Sequence, residues 1–258
     1  MLKKRIIGVV TVKDGWAVQS MGYKRYLPLG RPECLVENLD RWGADEILLQ
    51  VIDRSSGGLG PDFDLLARIA KLGLGTPLIY GGGIRTVEDG INAVQNGADR
   101  LVVDALLLDE PQIIRKLSES LGAQAIIGAM PMRIDSGEVR HMNYRNGAIT
   151  SLPSSCMGLM QDATISEMLL IDCVNEGHDG SFDDRLVENF PFEEIPLILF
   201  GGISKPSQMR QLLQRKNVAA VAIGNFLSYR EHAIQNFKEM LGTTSLRSPT
   251  YQMDYLAN

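Results

Sequence analysis

Eight short apolar runs recur along this chain, and amphipathic stretches separate them. The runs cover residues 5–12, 46–52, 77–81, 100–105, 124–130, 167–174, 196–202 and 218–224. Runs that are apolar on both faces are typical of parallel strands whose outer surface is covered by helices. Eight is the number of strands that closes such a sheet into a (β/α)8 barrel. We therefore predict an α/β fold of the TIM-barrel type.

The amphipathic stretches predict the helices that surround this barrel. They cover residues 32–43, 61–73, 86–96, 111–121, 204–216 and 229–241. Residues 131–166 break the alternation of strands and helices. Within them, the Asn146-Gly147 pair predicts a β-hairpin, which a short helix follows.

The two halves of the sequence resemble each other. The segment TPLIYGGGIRTVEDG at 76–90 matches IPLILFGGISKPSQM at 195–209, 119 positions further on. Such self-similarity indicates a duplicated half-barrel. We expect one domain over residues 1–258, with half-barrels at roughly 1–122 and 123–258.

Composition narrows the setting in which such a barrel works. The 258 residues are 45% hydrophobic, carry a formal net charge of −5 and contain no long basic run, so nucleic acid is a poor partner. No apolar run is long enough to predict a membrane span, and the N-terminus lacks the features of a signal peptide. The cysteines Cys34, Cys156 and Cys173 have no CxxC spacing and indicate reduced thiols in a cytoplasmic protein.

Glycine-rich segments end the third and seventh predicted strands, on the face where a TIM barrel carries its active site. Backbone N–H groups at such glycines can approach an anion closely, and a following helix N-terminus adds partial positive charge. We therefore predict phosphate-binding positions at Gly82, Gly83, Gly201, Gly202, Gly224 and Asn225. The alternative is that the glycines only turn each strand into its helix.

Acidic side chains near the same face are the candidate catalytic groups. Asp104 follows the fourth strand, where its charge would oppose a phosphate by about 3–4 kcal/mol at 4–5 Å in an effective dielectric near 20. Glu176 and Asp179 lie in the polar loop after the sixth strand. A glycine-rich turn with solvated charges is the plainer interpretation of that loop.

The histidines and one long segment complete the candidates at this face. His141, His178 and His232 share no metal-ligand spacing, so we expect neither a metal nor a cofactor. His178 is a candidate ligand contact, whereas His141 and His232 are expected to be solvated. Residues 15–30 predict a long loop over the barrel mouth, either as a lid that excludes water or as a loop packed on a neighbour.

Four charged residues stand at the opposite ends of the strands. Arg5, Glu46, Arg100 and Glu167 each directly precede an apolar run. In a barrel all four lie at the N-terminal mouth, as two positive and two negative groups. An ion-pair ring that closes the bottom is the structural interpretation, because this face usually serves stability. Rings of charge also gate passages for small polar molecules.

Together these segments resemble the cyclase subunit of imidazole glycerol phosphate synthase, from histidine biosynthesis. The resemblance spans nearly the whole chain. It is carried by KRII and VKDG within 4–15, GADEILLQ at 43–50, PLIYGGGIRTVEDG at 77–90, NGADRLVV at 96–103, FGGIS at 200–204 and IGNF at 223–226. It implies a barrel that receives ammonia at its bottom from a glutaminase subunit. At its top, the ammonia would react with a bisphosphorylated ribonucleotide.

The resemblance implies that the charged ring is an ammonia gate. The family's gate is a ring of Arg, Glu, Lys and Glu at the strand starts. Arg5, Glu46 and Glu167 match it, and Arg100 stands in the place of the lysine. Arginine is bulkier than lysine and pairs more rigidly, so this replacement is not neutral.

The resemblance also locates the family's two catalytic aspartates, at the ends of strands one and five. This chain has Thr11 and Pro131 at those positions. Neither residue titrates near neutral pH. Loss of a positioned general acid or base typically lowers a rate roughly 10²–10⁴-fold. We therefore expect cyclase activity to be absent or very weak.

Divergent members that resemble this subunit are encoded with surface-polysaccharide genes, where a glutaminase and a third protein make amidino sugars. The missing acids and the retained ring favour that group. The first hypothesis is therefore a barrel that partners a class I glutaminase at its N-terminal face and conducts ammonia for amidation in bacterial surface-glycan synthesis. The second is an active cyclase that uses Asp104, Glu176 or Asp179. The third is a non-catalytic scaffold that binds a phosphorylated small molecule.

Overall fold

The computed structural model describes residues 3–192, 194–229, 231–242 and 246–249, without the side chains of residues 155, 157 and 229. Twelve strands lie in the described residues: β1 (Arg5–Lys13), β2 (Trp16–Met21), β3 (Arg25–Gly30), β4 (Glu46–Val51), β5 (Leu78–Gly81), β6 (Arg100–Val103), β7 (Ile126–Asp135), β8 (Glu138–Asn143), β9 (Ala148–Thr150), β10 (Glu167–Asp172), β11 (Leu197–Phe200) and β12 (Val218–Ile223). Eight of them are parallel and close into a barrel in the order β1-β4-β5-β6-β7-β10-β11-β12, with β12 pairing again with β1. The predicted (β/α)8 fold is confirmed.

Helices cover the outside of the barrel, as the amphipathic stretches predict. Those within the described residues are α1 (Pro32–Arg41), α2 (Ile52–Ser56), α3 (Phe63–Ala70), α4 (Val87–Gln95), α5 (Ala105–Asp109), α6 (Pro111–Leu121), α7 (Ser154–Gln161), α8 (Arg185–Glu188), α9 (Pro206–Gln214) and α10 (Ala233–Leu241). Each of the six predicted stretches contains one of these helices. No helix in the described part of the chain is long and apolar enough to cross a membrane.

The barrel strands are buried on both faces, which explains why their sequences are continuously apolar. In β1, Ile7 and Val9 belong to the cluster inside the barrel, whereas Ile6 and Val10 pack outward against the helices. The same alternation puts Thr11 on the inner face at the C-terminal mouth, where it is 5% exposed. Inner side chains near the N-terminal ends of the strands therefore face one mouth, and those near the C-terminal ends face the other.

The prediction of a loop at 15–30 is wrong, because this segment forms the strands β2 and β3. β2 turns back antiparallel on β1, with Val12 opposite Ala17. The two residues of the turn, Asp14 and Gly15, have φ values of 51° and 77°. Two positive φ values are what a tight hairpin turn requires, and an Asp-Gly pair supplies them.

A second antiparallel extension follows β7. It consists of β8 and β9, whose connection contains the Asn146-Gly147 pair, and α7 follows. The predicted hairpin and short helix are therefore confirmed. β7 itself continues to Asp135, five residues beyond the predicted strand, because it pairs with β8 after it leaves the barrel.

The first strand and the last helix of the described residues meet at the N-terminal side of the barrel. Lys238 of α10 is 2% exposed, and its Nζ lies 2.8 Å from Asp45 Oδ1. The other carboxylate oxygen of Asp45 accepts a hydrogen bond of 2.8 Å from the backbone N–H of Ile6 in β1. The last helix is thus tied to the first strand through a buried ion pair.

Candidate functional site

The four charged residues at the strand starts meet at the N-terminal mouth. Nη1 of Arg5 lies 2.7 Å from Glu46 Oε2, and its Nη2 contacts Glu167 Oε1. Nη1 of Arg100 lies 3.0 Å from Glu46 Oε1, and its Nη2 lies 2.6 Å from Glu167 Oε2. Each arginine therefore bridges both glutamates, and each glutamate bridges both arginines. We call this arrangement the N-terminal ring.

The two arginines of the N-terminal ring are held differently. Arg100 also donates from Nε to the carbonyl of Gln124 at 3.0 Å and from Nη2 to Ser166 Oγ at 2.9 Å. The side-chain hydrogen bonds of Arg5 in the described structure go to Glu46 and Glu167 alone. Side-chain exposure of the four ring residues is only 8–15%, so water screens these pairs weakly. Arg5 is therefore the arginine whose departure would break the fewest contacts. Use of the ring as a gate remains a prediction.

At the opposite mouth, neither of the family's acid positions carries a carboxylate. Thr11 lies at the end of β1 beside Gln50 of β4, and Pro131 lies in β7 beside Ile171 of β10. Both residues are buried. Neither a threonine hydroxyl nor a proline ring ionises near neutral pH, so neither can replace a carboxylate as a general acid or base.

Two side chains from the inserted hairpins cover this mouth. Tyr23, at the tip of the β2–β3 hairpin, and Met142 of β8 both pack against the inner cluster of the barrel. The hydroxyl of Tyr23 lies 3.2 Å from Gln50 Oε1, which belongs to the inner face of β4. Burial raises the pKa of the Tyr23 phenol well above its ordinary value, so it stays neutral. The described hairpins therefore close the C-terminal mouth over the inner cluster.

Glu176 anchors the β2–β3 hairpin. It is 2% exposed, and its Oε2 accepts hydrogen bonds from Ser20 Oγ at 3.0 Å and from the backbone N–H of Tyr23 at 3.2 Å. Its backbone carbonyl accepts another from Gly22 at 2.9 Å. Burial raises the pKa of this carboxyl, and the hydrogen bonds to it act in the opposite direction. Glu176 is thus the best placed of the candidate acids, and its carboxylate also holds the hairpin in place.

Asp104 is occupied by contacts within the protein. Its carboxylate caps α5 by accepting from the N–H of Ala105, and its Oδ2 accepts from the hydroxyl of Tyr144 at 2.7 Å. Next to Tyr144, Arg145 makes a two-bond contact with Asp109 at 2.5 and 2.9 Å. These bonds fasten the β8–β9 hairpin onto α5, at the end of β6.

The first glycine pair adjoins this covered region. The N–H of Gly83 donates to Ser55 Oγ at 3.2 Å. A Cβ on Gly82 would lie 2.4 Å from the carbonyl oxygen of Val51, and one on Gly83 would lie 2.6 Å from that of Gly60. Close backbone packing therefore accounts for both glycines, and phosphate binding at this pair remains a prediction.

The second glycine set lines a shallow depression, together with Glu176 and Gly177. Gly201 and Gly202 have φ values of 107° and 77°, a conformation that favours glycine. Asn225 exchanges two hydrogen bonds with the backbone of Ser20 in β2, at 3.1 Å and 2.6 Å. Asn225 is therefore a second anchor of the β2–β3 hairpin. An anion at the glycines remains a prediction.

The remaining candidates lie apart or differ from expectation. Asp179 is exposed, contacts Ser204 Oγ and lies 3.9 Å from Lys205 Nζ, and His178 is also exposed. The expectation that His141 is solvated is wrong, because it lies in β8 and is 6% exposed. Burial lowers the pKa of its imidazole. The hairpin that contains His141 was predicted, but which face of the hairpin packs inward depends on tertiary contacts.

The sequence gives no sign of two residues that shape this mouth. Asp172, the last residue of β10, accepts hydrogen bonds from the N–H groups of Val174, Asn175 and Asp183 at 3.0–3.2 Å. It thereby folds the loop that carries Glu176 and Asp179. In the sequence, Tyr23 cannot be distinguished from an ordinary loop tyrosine unless β2 is recognised. The Asp14-Gly15 turn is the one signal that could reveal β2.

Comparison with known proteins identifies the family of this chain. One family model, described as "Histidine biosynthesis protein", matches residues 5–233, which is most of the chain. The chain belongs to this histidine biosynthesis family. Every barrel strand and all four residues of the N-terminal ring lie within the matched region.

Several members of the histidine biosynthesis family are similar to this chain over nearly their full length. A putative imidazole glycerol phosphate synthase subunit hisF2 of Vibrio vulnificus is 27% identical over 235 residues, covering 90% of this chain and 86% of that protein. The imidazole glycerol phosphate synthase subunit HisF of Staphylococcus saprophyticus is 28% identical over 245 residues, covering 93% and 97%. A putative subunit hisF2 of Pseudomonas aeruginosa is 26% identical over 236 residues, covering 90% and 94%. The resemblance to imidazole glycerol phosphate synthase is confirmed.

Proposed function

We propose that this barrel partners a glutaminase and conducts ammonia to an acceptor, and that it has lost cyclase activity. The observation that carries the proposal is the contrast between the two mouths. The N-terminal ring pairs Arg5, Glu46, Arg100 and Glu167, whereas Thr11 and Pro131 stand where the family places its acids. A barrel that only cyclised a substrate would need the acids more than the ring.

The glutaminase partner belongs at the N-terminal face. The relatives are named as subunits, which supports work within a complex. The ring residues are 8–15% exposed and sit at the strand starts, so a protein docked there would cover the entrance to the barrel. We infer a class I glutaminase at this position in the cytoplasm, and a third, amidotransferase protein at the opposite face.

The acceptor belongs to bacterial surface-glycan synthesis in this proposal, where amidino sugars require ammonia. Two of the relatives carry the name hisF2, which distinguishes them from the subunits named HisF. A separate pathway would need its own copy of this subunit in addition to the subunit that serves histidine biosynthesis. The phosphorylated ligand expected at Gly201, Gly202, Gly224 and Asn225 would then be the acceptor or a regulator.

Turnover of the cyclase substrate is the first experiment. The purified barrel is mixed with the bisphosphorylated ribonucleotide and saturating ammonium salt, and the imidazole product is measured. Saturating ammonium removes any need for the glutaminase, so the test isolates the chemistry of the C-terminal mouth. We expect no product above the blank. Turnover would replace this proposal with an active cyclase, in which Glu176 is the leading acid because burial raises its pKa.

Binding of the glutaminase is the second experiment. The barrel is combined with the glutaminase encoded beside it, and both complex formation and glutamine hydrolysis are measured. Gln124, next to the N-terminal ring, is exposed, and Gln124→Arg should weaken the complex. Ile149 is exposed on β9 near the opposite mouth, so Ile149→Arg is the matched control. A barrel that neither binds nor stimulates the glutaminase contradicts the proposal.

Passage of ammonia is tested with nitrogen-labelled glutamine. Label that reaches a product without exchange into bulk ammonia supports conduction through the complex. Full exchange with bulk ammonia favours a scaffold that binds a phosphorylated ligand and conducts nothing. The set of neighbouring genes, histidine operon or glycan cluster, then separates the two biosynthetic settings.

A further inference from the structure

Arg133 lies above the C-terminal mouth, on the inner side of β7. Ile127 and Ala129 of the same strand belong to the cluster inside the barrel, and side chains alternate along a strand. Pro131 and Arg133 therefore continue this inner row upward. The charge of Arg133 also acts on the thiol of Cys173, which belongs to the inner cluster. Arg133 thus lies two residues after Pro131, on the same face of β7, and Pro131 stands where the family places its second acid.

Arg133 has no bonding partner in the described part of the chain. Its Nε is buried, and no described group accepts a hydrogen bond from it. No described carboxylate lies within 4.0 Å of the side chain. By contrast, the partly buried Arg54 donates to the carbonyls of Gly60 and Pro61 at 2.6 and 3.0 Å. The N–H of Arg133 Nε is thus a buried donor without an acceptor, which is unfavourable, whereas the half-buried guanidinium still reaches the space above the mouth. A ligand that accepts a hydrogen bond from Arg133 would remove this cost.

A second arginine strengthens the positive charge at this place. Arg140 of β8 lies directly opposite Arg133 in the antiparallel pairing. Side chains opposite each other in such a pair are about 5 Å apart at Cβ, and like charges there destabilise the hairpin. Arg140 is partly neutralised by Glu138 at 2.6 Å, and it donates to Ser151 at 3.1 Å.

The strand pair that carries both arginines is firmly held. Tyr144 and Arg145, which follow β8, bond to Asp104 and Asp109. Met142 of β8 packs onto the inner cluster. The backbone that carries Arg133 is therefore held in place. A ligand bound to Arg133 would lie in the space above the barrel mouth.

We propose that Arg133 binds an oxyanion, a phosphate or a carboxylate, on the ligand that occupies the C-terminal mouth. A guanidinium offers parallel N–H groups that match two oxygens of either anion. This site is distinct from the glycines that follow β11 and β12, because it lies on β7 and β8, and β10 stands between β7 and β11 in the barrel. It also does not depend on ammonia passage, so it stands or falls independently of the proposed function.

Calorimetric titration tests the site with two probes, inorganic phosphate and succinate. The first distinguishes a phosphate ligand and the second a carboxylate ligand. Arg133→Met keeps an unbranched apolar stem and removes the charged guanidinium, and we expect it to weaken binding of the preferred probe at least about tenfold. Arg115→Met is the control, since Arg115 lies on α6 and pairs with Asp162 away from the mouth. Its affinity should equal that of the wild type.

Thermal unfolding without any anion supplies the second readout. Because Arg133 lacks an internal partner, Arg133→Met should unfold at the same temperature as the wild type or above it. Added probe should raise the unfolding temperature of the wild type and leave that of Arg133→Met unchanged. Arg133→Lys, which keeps the charge but not the paired N–H groups, should bind with intermediate affinity.

Three outcomes would overturn the inference. The first is failure of the wild-type protein to bind either probe at millimolar concentration. The second is equal affinity in Arg133→Met. The third is a marked fall in the unfolding temperature of Arg133→Met without anion, which would show that Arg133 is structural.

Discussion

Each carboxylate of the N-terminal ring accepts from two arginines, so removing one carboxylate charge affects both. In Glu46→Gln, Arg5 and Arg100 would share Glu167 alone. Breaking a buried ion pair leaves an uncompensated charge and costs about 3–5 kcal/mol. We expect about 3 kcal/mol of lost unfolding free energy, the lower end of that range, because glutamine keeps an acceptor oxygen.

The control for this prediction is an exposed pair. Glu188 is 51% exposed and lies 2.8 Å from Nη2 of Arg215. Glu188→Gln should cost less than about 1 kcal/mol, since exposed pairs contribute little. Urea denaturation of both variants gives the two free energies. Equal losses would mean that the N-terminal ring is as weak as a surface contact and does not stabilise the barrel.

A buried carboxyl at the opposite mouth should give an unusual pH dependence. Folding raises the pKa of Glu176, mainly through burial. The folded protein therefore binds more protons than the unfolded chain from the ordinary pKa of about 4.5 upward, until the raised pKa is passed. The contribution of Glu176 to stability is fully present below this window and is lost as pH rises through it.

Glu176→Gln tests this dependence, because glutamine keeps an acceptor for Ser20 and Tyr23 but does not titrate. The unfolding free energy of Glu176→Gln relative to the wild type should increase as pH rises above the ordinary carboxyl pKa of about 4.5. Asp183→Asn is the control of opposite sign, since the bond to Arg185 lowers the pKa of Asp183. Its relative stability should fall as pH rises from the lowered pKa to the ordinary value of 3.8, and should stay level above that. A pH-independent difference for Glu176→Gln would show that its pKa is unchanged by folding.

At the scale of elements, the β2–β3 hairpin is attached to the barrel through a few polar contacts. Asn225→Ala removes the two hydrogen bonds to Ser20. At about 1 kcal/mol for each bond, the free energy of local opening should fall by about 2 kcal/mol. Amide hydrogen exchange at Gly22 and Tyr23 should then accelerate about 30-fold. The amide of Leu197, bonded to Asn217 in the barrel wall, should not change.

Unchanged exchange at the hairpin tip would assign the attachment to Glu176 instead. The Asn225 result also bears on the use of the mouth, because Tyr23 at the tip of this hairpin covers the inner cluster of the barrel. The tip of the hairpin lies beyond the residues that pair with β1, and two bonds from Asn225 and those of Glu176 hold it, so the tip can open while β2 stays paired with β1.

Sequence reasoning performs differently on the two kinds of element. The eight barrel strands are predictable because burial on both faces makes them apolar throughout. β2 and β3 are not recognised, because neither is a continuous apolar run and Pro28 interrupts β3, although Asp14-Gly15 is a hairpin signal. Arg133 and Tyr23 could not be found at all, since their importance comes from which face of an extended strand or hairpin packs inward.

At the scale of the whole molecule, the N-terminal side is where the chain closes on itself. β12 pairs with β1, and α10 reaches β1 through the buried pair of Lys238 and Asp45. Lys238 also donates to the carbonyl of Gly43 at 2.7 Å. The ring and this pair lie on the same side of the barrel. The proposed entrance for ammonia is therefore surrounded by contacts that also hold the first and last elements together.

A double-mutant cycle tests whether the Lys238–Asp45 pair closes the barrel as a unit. Lys238→Met should cost about 3–5 kcal/mol, because it leaves the Asp45 carboxylate buried without its cation. Asp45→Asn should cost less, since asparagine still accepts from the N–H of Ile6. The double variant removes both charges and should be more stable than the sum of the single losses predicts, by about 0.5–3 kcal/mol. Urea denaturation of all four proteins measures this coupling. Additive losses would mean that α10 is held by its apolar face and that the buried charges do not join the ends of the chain.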